Sequence, residues 1–391
     1  MIQHEETSQH TSLALFCKVV DNYGDIGICW RLARQLQREH GIHVQLWVDD
    51  LASFQRICPG LTLEIDRQFK AEVEICWWKN QELEFTPSEI ADIVIEFFAC
   101  DIPPSYITAM SQCSERPVWF NLEGLTAEEW VEGCHRLPSS HPRLPLTKYF
   151  FFPGFNERTG GLMFEAELEN QRLAFLANSE LKNDFLKNLG LDEADLSTFK
   201  VSLFCYPHAP VASLLDALIA TERPTFLLVP EGVASATLNS FFGRELKSGE
   251  TVSRGNLRVR IFPFLAQDDY DRLLWACDFN FVRGEDSFVR AQWAQIPFVW
   301  HIYPQDDNLH HKKLRAFLST YTPINDALRD LSFAWNEVMQ VSDWTALWTK
   351  VTDQHLQTQL QTQEWARQKR KNGDLSANLL RFAKEIKQKS A

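Results

Sequence analysis

The sequence predicts an α/β protein with two mainly parallel β-sheets of similar size, each covered by helices. Short apolar runs typical of buried parallel strands alternate with stretches of helical period. This alternation stops near residue 136 and starts again near residue 200. A chain of 391 residues is long enough for two or three domains. We therefore expect a first domain at residues 1–155, a second at 156–325 and C-terminal helices at 326–391.

The first half contains the clearest strand–helix pattern. Its first strand is apolar apart from one lysine, as expected for a strand buried on both faces. Helix 28–40 follows, with Leu32 and Leu36 on one face, and between the two lies a glycine-containing turn, residues 21–27. The segment 136–155, rich in Pro, Phe and His, is interpreted as the exit from the first domain. Strands are predicted at 13–20, 43–48, 73–77, 93–97 and 118–120, with helical or loop segments between them, for example 104–113.

The second half repeats the pattern. Beyond residue 308 the sequence becomes helical and polar, and it ends in a predicted Gln/Lys/Arg-rich helix at 362–389. Strands are predicted at 200–204, 225–229, 257–262, 279–282 and 298–302, and helices at 211–221, 268–277 and 287–294.

Composition excludes several classes of protein. The 28 Phe and 13 Trp require burial, so most of the chain is expected to fold. The apolar runs are far shorter than the ~20 residues of a membrane span, and residues 1–10 lack the apolar core of a secretory signal. A net charge of −13 argues against nucleic-acid binding. Nine scattered cysteines without a C-x-x-C pair indicate reduced thiols, so we expect a cytoplasmic protein without a metal site.

The turn at residues 21–27 is the first candidate site, since ligands of open parallel sheets bind beyond the carboxyl ends of the strands. It lacks the dinucleotide and P-loop glycine patterns. Instead it places Asp21 and Asp25 where a phosphate-binding loop would present neutral amides. This favours a cationic or hydroxyl-bearing ligand. The alternative is that Asp25 only caps the helix.

Residues 283–287 form the second candidate, after the strand predicted at 279–282. Ser287 is a plausible N-cap of a helix whose N-terminus could hold a pyrophosphate. Glu285 and Asp286 could accept hydrogen bonds from sugar hydroxyls, or they could be surface acids of a capping cluster.

Aromatic residues follow two further strands of the second half. Phe264 and Tyr270, with Gln267 between them, come after the strand at 257–262 and could stack on a flat base. Phe204 and Tyr206 follow the strand at 200–204. For all four aromatic residues, packing into the core is the alternative.

Three stretches together resemble the bacterial arginine rhamnosyltransferases of elongation factor P (the EarP type), and the likeness covers nearly the whole chain. The stretches are residues 19–34, VVDNYGDIGICWRLAR, residues 46–50, LWVDD, and residues 283–287, RGEDS. The resemblance implies a GT-B glycosyltransferase, with two Rossmann-like domains facing across a cleft and C-terminal helices that brace them and pack back on the first domain. It implies inverting transfer of L-rhamnose from dTDP-β-L-rhamnose to one arginine of elongation factor P, which then rescues ribosomes stalled at polyproline.

The same resemblance implies roles for individual residues. Asp21, Asp25 and Glu285 are the expected catalytic carboxylates, with Asp25 pairing with the acceptor arginine and Asp21 holding a second N–H or orienting Asp25. No cofactor, metal, nucleic acid or membrane is implied, and the partner is elongation factor P. Donor contacts are implied for Tyr23, Gly24, Phe204, Tyr206, Phe264, Gln267, Tyr270, Asp286 and Ser287.

Two other functions stay open at this point. The chain could be another GT-B nucleotide-sugar enzyme, or an epimerase, that acts on a small molecule. It could also be a nucleotide-sugar binding protein without activity, although such a protein has no need for the pair of Asp21 and Asp25.

Overall fold

The structure is a computed structural model that describes residues 11–21, 23–322 and 325–390. The expectation about residues 1–10 and the position of Asn22 lie outside the described residues. The described chain divides into two units: unit 1 runs to Glu165 and resumes at Asn372, and unit 2 comprises Ala166–Lys371. The predicted domain boundaries, at residues 155 and 325, follow changes in the strand–helix alternation, whereas the two units are groups of residues in mutual contact.

Unit 1 is built on an eight-stranded sheet. Its strands are β1 (Ser12–Cys17), β2 (His43–Val48), β3 (Arg67–Lys70), β4 (Val73–Trp77), β5 (Ile93–Phe97), β6 (Val118–Leu122), β7 (Pro138–Ser140) and β8 (Thr147–Phe151). They lie in the order β3-β4-β2-β1-β5-β6-β8-β7. The inner pairs are parallel, as predicted, and only β3 and β7, at the two edges, pair antiparallel.

Two expectations about the first half are wrong. The segment 136–155 does not simply lead out of the first domain, because β7 and β8 complete the sheet of unit 1. The first strand ends at Cys17, and the helix after it begins at Tyr23 rather than at residue 28. The glycines of the predicted turn therefore lie in the first turns of this helix. The first four helices of the chain are α1 (Tyr23–His40), α2 (Leu51–Ile57), α3 (Pro104–Gln112) and α4 (Trp130–Cys134).

Unit 2 contains a six-stranded sheet. Its strands are β9 (Phe199–Leu203), β10 (Thr225–Pro230), β11 (Thr251–Arg254), β12 (Leu257–Phe262), β13 (Phe279–Arg283) and β14 (Phe298–His301). They lie in the order β11-β12-β10-β9-β13-β14, parallel except for the edge strand β11. The strands and helices predicted between residues 200 and 302 are present with ends shifted by one residue at most.

Helices surround this second sheet and continue beyond it. They are α5 (Leu168–Ala177), α6 (Ser179–Asn188), α7 (Val211–Ala220), α8 (Ser235–Phe242), α9 (Gln267–Ala276), α10 (Asp286–Ala294), α11 (Leu309–Tyr321), α12 (Asp326–Trp335), α13 (Trp344–Asp353) and α14 (His355–Arg370). Short 3-10 helices lie at Pro87–Glu89, Glu193–Ser197 and Asp306–Asn308. No helix within the described ranges is both long and apolar enough to cross a membrane.

The last helix, α15 (Leu375–Ser390), belongs to unit 1. Leu379 and Phe382 of this helix are buried in the unit 1 core, where the Phe382 ring lies 5.8 Å from the ring of Phe120. The single C-terminal helix predicted at 362–389 is therefore wrong. Gly373, with φ +81°, separates α14 from α15, and this backbone conformation ends the helical path.

Strand order identifies one crevice in each sheet. In unit 1 the neighbours of β1 are β2 and β5, and in unit 2 the neighbours of β9 are β10 and β13. The chain leaves β1 toward β2 on one side and β5 toward β6 on the other, and it leaves β9 toward β10 and β13 toward β14 in the same way. Connections that leave neighbouring strands in opposite directions open a ligand crevice at the carboxyl ends of those strands. The predicted residues Asp21 and Asp25 follow β1, and Phe204 and Glu285 follow β9 and β13.

Candidate functional site

Carboxylates organise the loop at the carboxyl end of β1. Asp25, only 5% exposed, uses Oδ2 to accept hydrogen bonds from the backbone N–H groups of Val20 and Asp21, both at 2.8 Å. Directly after the neighbouring strand β2, Asp49 Oδ1 accepts from the N–H of Val19 at 2.9 Å. The loop therefore takes its shape from two carboxylates. Asp25 does act at the start of α1, but it binds the amides that precede the helix.

The environment of Asp25 makes this carboxylate a stronger proton acceptor. Burial raises the pKa of Asp25 above its ordinary value, and the charges of Asp21 and Asp49 raise it further. The two backbone hydrogen bonds oppose this change but do not cancel it. Such a group can accept a proton from a bound ligand more readily than an exposed aspartate can.

Gly24 allows the close packing of Asp21 against α1. A Cβ atom at position 24 would lie 3.0 Å from Asp21 Oδ2, and the Gly24 N–H donates to the Asp21 carbonyl at 2.7 Å. The adjacent ring of Tyr23 packs on the unit 1 core, with the guanidinium of Arg56 5.9 Å from its centroid. The donor contacts expected of Tyr23 and Gly24 remain predictions.

In unit 2, the turn after β13 differs from the prediction in one respect. Glu285 occupies the N-cap position of α10, and Ser287 lies inside the helix. The hydroxyl of Ser287 instead accepts from the N–H of Arg283 at 3.1 Å and donates to the carbonyl of the same residue. Gly284, with φ +63°, supplies the left-handed residue that this turn needs.

The N-termini of α9 and α10 lie side by side. Gln267, the first residue of α9, donates through Nε2 to Asp286 Oδ2 at 3.3 Å. Deeper in the same helix pair, Arg290 and Asp271 form a buried bidentate ion pair with contacts of 2.7 and 2.9 Å. Two adjacent helix N-termini offer backbone N–H groups and positive potential, which suit a diphosphate.

Aromatic side chains from the predicted set gather at the same edge of unit 2. The rings of Phe204 and Tyr270 lie 5.8 Å apart, and the Arg283 guanidinium lies 4.2 Å from the Phe204 ring and 5.0 Å from the Tyr206 ring. Burial raises the pKa of Tyr270, and an interaction with the hydroxyl of Ser287 opposes this change. Phe264, in the loop after β12, is 36% exposed, so it is not a core residue.

Sequence reasoning missed three residues at these edges. Asp49 fixes the loop after β1, Arg283 places a cation beside the aromatic rings, and His301 accepts from the backbone N–H of Tyr206 at 3.1 Å. Each is the last residue of a strand or directly follows one, and this position is the signal that could have found them.

The described residues contain no group of three or more His, Cys, Asp or Glu side chains that could hold a metal ion. His310 Nδ1 accepts from the backbone N–H of Gln305 at 3.0 Å, so this histidine has a structural partner. The expectation that no metal or cofactor is needed remains a prediction.

The fold and these edges define the class of the protein. Two Rossmann-like units, with candidate ligand residues at the crevice of each sheet, are the architecture of a GT-B glycosyltransferase. The α,α-trehalose-phosphate synthase (UDP-forming) from Burkholderia xenovorans shares this fold, with a TM-score of 0.51 at 10% identity over 96% of this chain and 99% of that one.

The particular family follows from more similar proteins. Residues 13–384 match the family model described as Elongation-Factor P (EF-P) rhamnosyltransferase EarP, and the chain belongs to this family. Protein-arginine rhamnosyltransferases from Pseudomonas putida and Pseudomonas aeruginosa are 45% and 43% identical over 374 residues, which is 94% of this chain and 97% of each relative. A structure solved for EarP-mediated arginine glycosylation of translation elongation factor EF-P matches with a TM-score of 0.68 and 33% identity, covering 96% of this chain and 99% of that one.

Proposed function

We propose that the chain transfers L-rhamnose from dTDP-β-L-rhamnose to one arginine side chain of translation elongation factor P, with inversion at the anomeric carbon. Family membership supports the acceptor and the sugar, because the relatives are named for both. The observation that carries the chemistry is the buried Asp25, whose pKa is raised at the carboxyl end of β1. Rescue of ribosomes stalled at polyproline is the proposed role of the modified factor.

The acceptor presents the main chemical difficulty. A guanidinium has a pKa above about 12, so full deprotonation near pH 7 costs upward of roughly 7 kcal/mol. We therefore assign late proton transfer to Asp25: the guanidinium proton moves to the carboxylate as the bond from nitrogen to C1 of rhamnose forms. In the same displacement the bond from C1 to the diphosphate oxygen breaks, and its electron pair leaves with dTDP. Asp21 is assigned to hold a second N–H of the acceptor.

The donor is assigned to the crevice of unit 2. Phe204, Tyr206, Phe264 and Tyr270 surround the nucleotide in this proposal, and Glu285 accepts hydrogen bonds from the sugar hydroxyls. The N-termini of α9 and α10 stabilise the negative charge that grows on the leaving diphosphate. Gln267, Asp286 and Ser287 lie at these two N-termini. Because the helices supply this positive potential, the proposal includes no metal ion.

A cytoplasmic location is part of the proposal. All nine cysteines are free thiols, and seven of them are buried. Unpaired thiols are typical of proteins from a reducing compartment. The proposed acceptor, a translation factor, works in the same compartment as the ribosome.

The test is an incubation of the full chain with elongation factor P and dTDP-rhamnose, followed by intact-mass measurement of the factor. A gain of one deoxyhexose is expected, and the Asp25→Asn variant is the matched control. Consumption of the donor with a small acceptor but without modification of the factor would favour a different glycosyltransferase. Binding of dTDP-rhamnose without any consumption would indicate a non-catalytic binding protein.

A further inference from the structure

His301 connects the two loops that border the crevice of unit 2. It is the last residue of β14 and is fully buried. Its Nδ1 accepts from the N–H of Tyr206, in the loop after β9, at 3.1 Å. Its carbonyl accepts from the N–H of Gly284, in the turn after β13, at 3.2 Å. One residue therefore holds the backbone of both loops.

The peptide group between Cys205 and Tyr206 is held from both sides. Its N–H donates to His301 Nδ1, and its carbonyl accepts from Arg283 Nη1 at 2.9 Å. A peptide group is planar, so fixing its oxygen and its nitrogen fixes the orientation of the plane. The backbone that carries the rings of Phe204 and Tyr206 is set by that plane.

The ring of His301 is itself fixed in one tautomer. Because Nδ1 is an acceptor, the neutral ring carries its proton on Nε2, which lies 3.0 Å from His208 Nε2 and donates to it. Burial lowers the pKa of His301 to about 3, which keeps Nδ1 available as an acceptor.

The backbone around His301 is equally constrained. The side chain of Asn336 accepts from the N–H of Ile302 at 3.0 Å and donates to the carbonyl of Trp300 at 2.8 Å. The indole of Trp300 donates to the carbonyl of Gly284 at 2.7 Å. The end of β14 is therefore a rigid support for both loops.

From this network we infer that His301 is a positioning residue of the donor crevice, which holds the Tyr206 loop and the Gly284 turn in place before the nucleotide binds. The inference rests on the proposed function, because that proposal assigns the donor to these loops. Loops that are already in place cost no free energy of ordering when the donor binds. Donor affinity therefore depends on the support that His301 gives them.

A matched pair of substitutions tests the inference on the full chain. In His301→Asn the amide oxygen lies near the position of Nδ1 and keeps an acceptor for the Tyr206 amide. In His301→Gln the polar atoms reach the position of Nε2 instead, and this acceptor is lost. Calorimetry with dTDP is expected to show about tenfold weaker binding for His301→Gln and at most about threefold for His301→Asn. Wild-type affinity in His301→Gln, or equal losses in both variants, would overturn the inference.

Hydrogen exchange of the Tyr206 amide, measured without ligand, separates this inference from the proposed function. Exchange is expected to be faster in His301→Gln than in wild type and nearly unchanged in His301→Asn. Failure of the wild-type chain to bind dTDP would contradict the donor assignment, whereas the exchange result still decides the role of His301.

If His301→Gln does not fold, His208→Ala, at an exposed position, replaces it. Faster exchange is again expected, since loss of the His208 acceptor leaves the His301 ring free to tilt away from the Tyr206 amide, and unchanged exchange would overturn the inference.

Discussion

Replacement of Asp25 by asparagine separates the chemistry of this carboxylate from its role in the fold. Asparagine has the same shape, and its oxygen can accept the two hydrogen bonds that Asp25 Oδ2 accepts from Val20 and Asp21. It has no charge and cannot take a proton from a guanidinium. The local structure should therefore survive while proton transfer fails.

The size of the activity loss follows from the assigned role. Removal of a positioned proton acceptor lowers turnover by about 10²–10⁴-fold, which corresponds to about 3–5 kcal/mol of transition-state stabilisation. Affinity for dTDP should stay within about twofold, since the nucleotide is assigned to unit 2. The assay is the rate of deoxyhexose addition to elongation factor P, followed by intact mass, together with dTDP calorimetry. Turnover of Asp25→Asn within about threefold of wild type would refute the role of Asp25.

Stability gives an independent check on the same variant. The pKa of Asp25 is raised in the fold, so the folded protein binds this proton more tightly than the unfolded chain does. The stabilisation from this group is complete below the unfolded pKa, about 4, and is lost as pH rises through the folded pKa. At pH 8 Asp25→Asn is therefore expected to be at least as stable as wild type, and its advantage should shrink in acid.

Alanine at the same position is the contrasting variant. Asp25→Ala removes both backbone hydrogen bonds, at about 1–1.5 kcal/mol each, so it should lower the melting temperature by about 4–12 °C. Equal destabilisation by asparagine and alanine at pH 8 would contradict the hydrogen-bond pattern described for Asp25.

Three further substitutions test other parts of the molecule. Glu285→Gln is expected to weaken dTDP-rhamnose binding about tenfold but dTDP binding less than about twofold, because the carboxylate is assigned to the sugar hydroxyls; calorimetry showing equal losses for both ligands would contradict this. Gly161→Ala should lower the free energy of unfolding by about 2–4 kcal/mol in denaturant titrations, since its φ is +79° and a Cβ would lie 2.6 Å from a carbonyl oxygen. Gly232→Ala, with φ +82° and open space, is the control, and similar losses in the two would exclude the clash. Arg290→Met leaves the Asp271 charge buried and should lose about 3–5 kcal/mol, whereas a double change that adds Asp271→Leu should recover most of it; a double variant less stable than the single one in urea would refute this reasoning.

The strands and helices next to the crevices were predictable because the residue pattern that indicates each of them lies within the segment itself. The predicted ends of β2, β4, β5 and β12 are identical to those in the structure, because most residues of each strand are apolar and buried. The parallel arrangement followed from the alternation of these runs with helices, and the position of the candidate residues after β1, β9 and β13 followed from the general location of ligands in such sheets.

Edge strands and helix ends were less predictable. β7 and β11 are short and mostly exposed, so their sequences carry no apolar run. The start of α1 was missed because glycine is a poor helix former, while the hydrogen bonds from Val20 and Asp21 to Asp25 hold the chain entering the helix. A local pattern gives no information about such bonds until the backbone path is known.

The sequence alone determined the α/β class, the two sheets and the carboxylates and aromatic residues that follow their strands, because burial imposes a period on neighbouring residues. Only the tertiary structure decided how those residues are held: which amides Asp25 binds, how α15 returns to the core of unit 1, and how His301 reaches a peptide group 95 positions away in the chain. Such contacts join residues far apart in the sequence, and they form only once the packing of strands and helices has fixed their separation in space.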